Sequence, residues 1–515
     1  MMEIEKTQSL CPRCMKILPA TIFERDGKVW ITRTCKRHGK TEELYWGSYE
    51  IYKKAKRFAR DGRGVYNPEI KKERIVCPFD CGLCNVHKSH TALANIVLTN
   101  RCDLRCWYCF FFAQKAGYVY EPNLEQVRLM LKKLRSEKPV PCNAVQFTGG
   151  EPLLRNDIIE IIKIARQEGF KHIQLNTDGI RLRDAALAKN IRKAGVNTIY
   201  LSFDGVSAKT NPKNHWEIPE ILESCRYAEI GVVLVPTIIK GVNDHELGDI
   251  IRFAVRNIDV VRGINFQPVS MVGRMSKNER KKYRITIPDV MQRIEEQTKG
   301  EISKNDFYTV PFVMPISNFV ESITKKSEYQ FSSHFACGAA TYVFKEDEKT
   351  IPITRFVDVE GLMKYLDDMA TKIKPGHIKY ITGLKLLFGL RKFVHGKTPK
   401  GLNINKVFFD AFVKKNYKTL SVFHHKSLFI GLMHFQDLYN YDIERVKRCC
   451  IHYATPDGNI IPFCTFNVLP SLYRDKIQKK FGMKIGEWEK KNKRKLDDDL
   501  YRRSPELIKN APKTF

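Results

Sequence analysis

The sequence predicts an α/β protein built on an open, six-unit (β/α)6 barrel, with a small metal-ribbon domain before it and a cysteine-bearing domain after it. Three observations carry this. Six apolar, β-like runs recur: "LANIVLT", "AVQFTG", "HIQLNT", "TIYLSFD", "VVLVPTII" and "GINFQPV". Helical stretches such as "NDIIEIIKIARQEG" and "RDAALAKNIRKAG" separate them, and buried strands alternating with helices are the pattern of a parallel sheet. Finally, most of the 15 cysteines fall in spaced groups, on both flanks and at one strand end.

The hydrophobic content of 43% and aromatic content of 11% exclude a disordered chain. At 515 residues the chain exceeds one ordinary core, and four regions are expected. They are a metal-knuckle domain at 1–48, a linker with a first cysteine triplet at 49–93, the barrel at 94–300 and the C-terminal domain at 301–515. Met1–Leu10 is polar and charged, so no secretory signal is expected, and no run of 18 apolar residues offers a membrane span. A cytoplasmic location follows as the expectation. Disulfides then explain the cysteines poorly, and metal or Fe–S ligation explains them better.

In chain order, the first region holds Cys11 and Cys14 as C-x2-C, then Cys35 and His38 as C-x2-H, separated by the strand-like "KVWITRT". Two such knuckles predict one tetrahedral site for zinc or a rubredoxin-like mononuclear iron. A basic, helix-compatible stretch, Tyr49–Arg63, leads to Cys77, Cys81 and Cys84, spaced C-x3-C-x2-C. No strand precedes this triplet, so it reads as an auxiliary cluster site. His87, His90, Cys142 and Cys225 are open candidates for its fourth ligand.

The same spacing returns at Cys102, Cys106 and Cys109, now directly after "ANIVLT". A loop at the C-terminal end of a strand is where barrel enzymes build active sites. Three thiolates can hold three irons of a [4Fe–4S] cluster and leave the fourth open. "FTGGEP" ends the next strand: Gly149 and Gly150 let backbone approach a ligand, and Glu151 can hold an ammonium group. With Tyr108 before the last cysteine, these motifs resemble the radical S-adenosylmethionine (SAM) superfamily. The resemblance implies that Cys102, Cys106 and Cys109 hold the catalytic cluster. It also implies a SAM site at the strand ends: Asn176 and Thr177 of "LNTDG", Ser202 and Asp204 of "LSFDG", and Gln267 of "NFQPV" near adenine.

The last region holds Cys337, Cys449, Cys450 and Cys464. "CCIHYATPDGNIIPFC" reads as a hairpin turning at Pro456-Asp457-Gly458. It resembles the auxiliary Fe–S domain that follows many radical SAM barrels, giving up to three [4Fe–4S] clusters in all. The net charge of +31 predicts an anionic partner. Residues 371–430 carry 13 Lys/Arg against one acid, Asp410, with nine Phe/Tyr interleaved. Cations beside bulky hydrophobes suit a lipid surface. The excess of Lys over Arg argues against nucleic-acid readout.

Over nearly its whole length the chain resembles the archaeal radical SAM tetraether lipid synthases. The resemblance rests on "SLCPRC" with "CKRHG", "CPFDCGLCNVHKSHT" leading into "TNRCDLRCWYCF", "VQFTGGEP", "VLVPTIIKGVNDHELGDIIRFA" and "HFQDLYNYDIERVKRCCIHYATPDGNIIPFC". It implies carbon–carbon coupling of terminal methyl groups on the phytanyl chains of archaeol-type phospholipids, giving a membrane-spanning tetraether. It further implies an enzyme peripheral to the cytoplasmic membrane and an external electron donor such as a ferredoxin. The alternative is a radical SAM C-methyltransferase acting on the pterin of methanopterin, to which related sequences have been assigned.

Overall fold

The computed structural model describes residues 2–515 apart from 110, 112, 273–276, 348, 373–388, 391, 401, 404–405, 407–425 and 511. Most of the basic aromatic segment 371–430 therefore lies outside the described residues. Two of its aromatics lie inside them. The Phe393 ring sits 5.4 Å from that of Tyr365, and Phe429 sits 5.3 Å from Tyr342 within a sheet.

The N-terminal region is a four-stranded antiparallel sheet of β1 (Met2–Leu10), β2 (Ile17–Arg25), β3 (Lys28–Cys35) and β4 (Gly39–Trp46), in that order. Asp26 and Gly27 join β2 to β3 with φ of 54° and 70°, the left-handed pair that a two-residue hairpin matching strand twist requires. Ala20, Ile22, Val29, Ile31 and Tyr45 form its buried face. Helix α1 (Tyr49–Lys56) follows, capped by Ser48 accepting from the Ile51 N–H.

Six strands then pair in sequence order, all parallel: β5 (Leu93–Thr99), β6 (Ala144–Gly149), β7 (His172–Thr177), β8 (Thr198–Ser202), β9 (Gly231–Val235) and β10 (Val261–Pro268). Between them run α2 (Leu124–Arg135), α3 (Ile158–Gln167), α4 (Ala185–Ala194), α5 (Ile218–Tyr227) and α6 (Leu247–Arg256). Each helix buries an apolar stripe at helical spacing, as Leu247, Ile250, Ile251 and Ala254 do in α6. Stepping one way around the sheet, the units give the expected open (β/α)6 barrel, with every C-terminal strand end on one rim.

The expected break at residue 300 falls inside one continuous sheet. Strand β12 (Ser427–Met433) pairs parallel to β10, and β11 (Gly338–Glu346) pairs antiparallel to β12. At the opposite edge β13 (Ile451–Ala454) pairs parallel to β5 and turns back through β14 (Ile460–Pro462). This is the hairpin expected at 456–458, with Gly458 at φ 84°. The C-terminal region thus covers both edges that an open barrel leaves exposed. Among the described residues, no helix is long and apolar enough to cross a membrane.

Candidate active site and metal centres

In the ribbon, the Cys11, Cys14 and Cys35 thiols and the His38 ring lie with their ligand atoms all within 4.8 Å of one another. The His38 Nδ1 is 3.4 Å from Cys11 Sγ and 3.6 Å from Cys35 Sγ. Three thiols and one imidazole at this spacing fit a single tetrahedral ion. Structural sites of this kind contribute about 10–16 kcal/mol to folding. Cys35→Ser is therefore expected to release one metal equivalent and to expose the ribbon first. Elemental analysis and limited proteolysis check this: cleavage should begin within residues 2–47 while the barrel stays intact.

The second triplet stands on the barrel rim, where Cys102, Cys106 and Cys109 line one cavity of about 250 Å³. Tyr108, Gly149, Gly150, Asn176, Thr177, Ser202 and Gln267 line it too, drawn from the ends of four strands and the cysteine loop. Burial and the nearby Asp178 and Asp103 push the Cys102 thiol well above its usual range, and burial pushes Cys106 up to about 12. Three bare thiolates would be costly here. A multi-iron cluster fits the donor set, because it supplies the counter-charge and bonds each sulfur.

The two glycines that line the cavity also serve a second contact. A Cβ on Gly149 would lie 2.0 Å from the Thr99 carbonyl oxygen, and one on Gly150 would lie 1.9 Å from that of Arg101. The Gly150 and Glu151 N–H groups donate to those carbonyls at 2.8 Å each. Bare backbone is needed where the end of β6 clamps the loop that carries Cys102.

Glu151 does not line the cavity, and both its oxygens are engaged inside the protein. They accept from the Leu153 N–H at 2.9 Å, the Thr177 hydroxyl at 2.8 Å and the Asp178 N–H at 2.9 Å. Burial raises its carboxyl to about 7. Asp204 also sits behind the wall. It accepts from the Tyr108 hydroxyl and the Thr237 N–H, and pairs with Lys213 Nζ at 2.8 Å.

The two charged residues of the cavity lining escaped the sequence reading. Lys213 is buried, donates to Ser202 Oγ at 2.8 Å, and stands 5.6 Å from the Tyr108 ring centroid. Burial opposes its charge, but Asp204 outweighs burial and holds it protonated. Asp178, next to Asn176 and Thr177, shares a carboxyl cluster with Asp103 beside Cys102. Burial raises Asp103 to about 9 and Asp178 to about 7, so the pair keeps a proton near neutrality. Lys213 and Asp178 are the cation and carboxyl able to face the carboxylate and ammonium of an amino-acid ligand.

Seven of the other nine cysteines form two further groups. Cys337, Cys449, Cys450 and Cys464 feel one another's charge, and the buried Arg445 donates from Nε to Cys337 Sγ at 3.3 Å. Cys77, Cys81 and Cys84 interact likewise, with Cys81 Sγ 3.4 Å from the hydroxyl of Thr465, the residue after Cys464. Neither group draws its sulfurs as close together as the ribbon site does, and that wider spread suits clusters better than single ions.

Three of the four candidate fourth ligands have partners of their own, and the other is buried among apolar side chains. His87 Nε2 contacts the Cys449 carbonyl at 2.8 Å and His452 at 3.1 Å. His90 Nε2 accepts from the Gln330 N–H at 3.2 Å. Cys142 Sγ lies 3.3 Å from the Ala144 carbonyl, and Cys225 is buried in the barrel core on α5.

Comparison with known proteins finds two family models on this chain. A family model described as the radical SAM superfamily matches residues 96–254, and one described as an HMPTM N-terminal zinc ribbon domain matches residues 3–47. The chain is 47% identical over 507 residues to the 7,8-dihydro-6-hydroxymethylpterin dimethyltransferase of Methanocaldococcus jannaschii, covering 96% of this chain and 99% of that one. It is 34% identical over 191 residues to a GTP 3′,8-cyclase of Aquifex aeolicus, covering 34% of this chain and 57% of that one. Among solved structures, a radical SAM methyltransferase from Sphaerobacter thermophilus matches 57% of this chain and 74% of its own, at 13% identity and a TM-score of 0.27. Methylornithine synthase matches 41% of this chain and 64% of its own, at 16% identity and a TM-score of 0.29.

Proposed function

This chain belongs to the radical SAM family that includes the M. jannaschii 7,8-dihydro-6-hydroxymethylpterin dimethyltransferase, and from that footing we propose that it methylates carbon on a reduced pterin of the same kind. The observation that carries the reading is the 47% identity across 96% of the chain, which reaches far beyond the shared barrel. Reductive cleavage of SAM at an iron–sulfur cluster supplies a 5′-deoxyadenosyl radical able to take hydrogen from an unactivated carbon.

The protein's own residues do the rest. Cys102, Cys106 and Cys109 hold the cluster. Lys213 and Asp178 orient the methionyl end of SAM, and Asn176, Thr177, Ser202 and Gln267 meet its ribose and adenine. The opposite wall is aromatic, with Phe435 and Phe463 stacked at 4.0 Å and Tyr453 5.2 Å from Phe463. A flat heterocycle stacks on such a wall. Asn95 lines the same cavity, 1% exposed, with its Nδ2 left without a partner among the described residues. It offers a donor to a ring carbonyl.

A second reading, coupling of archaeol-type chains by an enzyme docked on the membrane, keeps one specific support. That support is the Lys- and Phe-rich segment 371–430 on a chain of net charge +31. One anaerobic incubation separates the two. The enzyme, SAM and a strong reductant are given 7,8-dihydro-6-hydroxymethylpterin in one arm and an archaeol-type phospholipid in the other, and products are read by mass spectrometry. The pterin is expected to exchange hydrogen for methyl groups, each drawn from a second SAM, as 5′-deoxyadenosine and S-adenosylhomocysteine accumulate and the reductant supplies the electrons. An unchanged pterin beside a lipid dimer that has lost two hydrogens would replace the first reading with the second.

A further inference from the structure

A second hollow, of about 560 Å³, opens beside the catalytic cavity and shares Cys109 and Phe111 with its lining. One wall is helix α7 (Arg474–Phe481), and facing it is the turn that carries Lys115. Lys115, Arg474, Lys476 and Lys479 line this vestibule against one carboxylate, Asp475. Asp475 is engaged by Arg474 at 2.8 Å. Lys115, Lys476 and Lys479 are exposed, and among the described residues no carboxylate stands within ion-pair distance of them. On the same helix Gln478 is 3% exposed and lines the vestibule, with its Nε2 lacking any partner among the described residues. A buried amide donor without an acceptor costs free energy unless a ligand supplies one. Several cations around that donor define the ligand as an anion with several oxygens.

We propose that this vestibule binds the phosphate or diphosphate of the substrate, so that the molecule whose carbon reacts beside Cys109 is an anionic phosphate ester. The inference rests on the cavity at Cys102–Cys109 being the reaction site, not on the substrate's being a pterin. Two sources share the chemistry: an ester on the pterin hydroxymethyl group and the headgroup of an ether phospholipid.

Inorganic pyrophosphate is the probe, titrated calorimetrically into the full-length, cluster-loaded protein. Binding is expected in the wild type and in K480Q, whose lysine lies outside the vestibule lining, and at least about tenfold weaker in K476Q/K479Q. Raised salt should weaken it. No binding, or equal binding in K476Q/K479Q, overturns the site. Competition then identifies the source. Displacement of pyrophosphate by the diphosphate ester of 7,8-dihydro-6-hydroxymethylpterin, with the ester outcompeting the free pterin only when Lys476 and Lys479 are present, supports a pterin ester. Displacement by phospholipid micelles, with no pterin methylated, keeps the vestibule and removes the pterin reading. If neither displaces pyrophosphate, the substrate role is wrong.

Discussion

Replacing Cys102, Cys106 and Cys109 together with alanine is expected to abolish 5′-deoxyadenosine formation, a loss of at least about 10⁶-fold, the low end of enzymatic rate enhancement. The same variant should lose about four irons per chain and keep its ribbon metal, because the ribbon site draws on Cys11, Cys14, Cys35 and His38 alone. The fold should survive. Cys102 Sγ meets the Leu104 N–H at 3.5 Å and Cys109 Sγ meets the Phe111 carbonyl at 3.4 Å, but ion pairs and backbone bonds of neighbouring residues also hold this loop. Arg101 pairs with Glu121 at 2.8 Å and with the buried Asp499 at 2.7 Å, and Gly150 and Glu151 donate to the loop backbone. Iron counts, the visible absorption of reconstituted protein and a chromatographic assay for 5′-deoxyadenosine together check this. Undiminished iron, or continued SAM cleavage, would place the radical chemistry at another cysteine group.

The position of this site was legible because its signals are local. Cysteine spacing, a preceding apolar strand and a Gly-Gly pair can all be read without knowing what lies across the sheet. The roles of Glu151 and Asp204 were not local. Both sit at the strand ends where they were expected, but Glu151 turns inward to three donors and Asp204 turns to Tyr108 and Lys213. Lys213 carries no pattern of its own in "SAKTNPKNHW"; only the folded loop sets its ammonium against Asp204. The edge strands were hidden for a related reason. Ile451 pairs with Leu93 and Phe429 with Gly263 across long stretches of chain, and hydrophobic periodicity identifies a strand without naming its neighbour. Phe429 therefore read as part of a basic aromatic surface, when it belongs to the sheet.

Asp437→Ala is expected to destabilise the protein by about 3–5 kcal/mol, the cost of stranding a buried charge, against a total of about 5–15 kcal/mol for a typical domain. Asp437 is fully buried and pairs with Arg284 at 3.0 Å; Arg284 reaches Glu43 at 3.1 Å, and Glu43 reaches Arg280 at 2.9 Å. Asp437 also accepts from the Tyr439 N–H at 2.9 Å and the Met271 N–H at 3.3 Å. The network thereby joins ribbon strand β4, the segment after β10, and the loop that presents Phe435 to the cavity. Removing the carboxylate leaves Arg284 with Glu43 alone and frees that loop, so substrate KM should rise along with the loss of stability. Replacing both partners with apolar residues, Arg284→Met with Asp437→Leu, should cost less than Asp437→Ala, because no charge is left unpaired. The pH dependence carries the sign. Burial pushes Asp437 up, but Arg284 and the backbone donors outweigh it and hold its carboxyl below the usual aspartate range. Its contribution to stability is therefore full above the ordinary aspartate value and is lost only as pH falls through the lower folded value. Denaturant titrations of both variants across the acidic range test this. An Asp437→Ala protein within about 1 kcal/mol of wild type, the level of an exposed ion pair, would show that Asp437 adds little to holding the ribbon to the barrel.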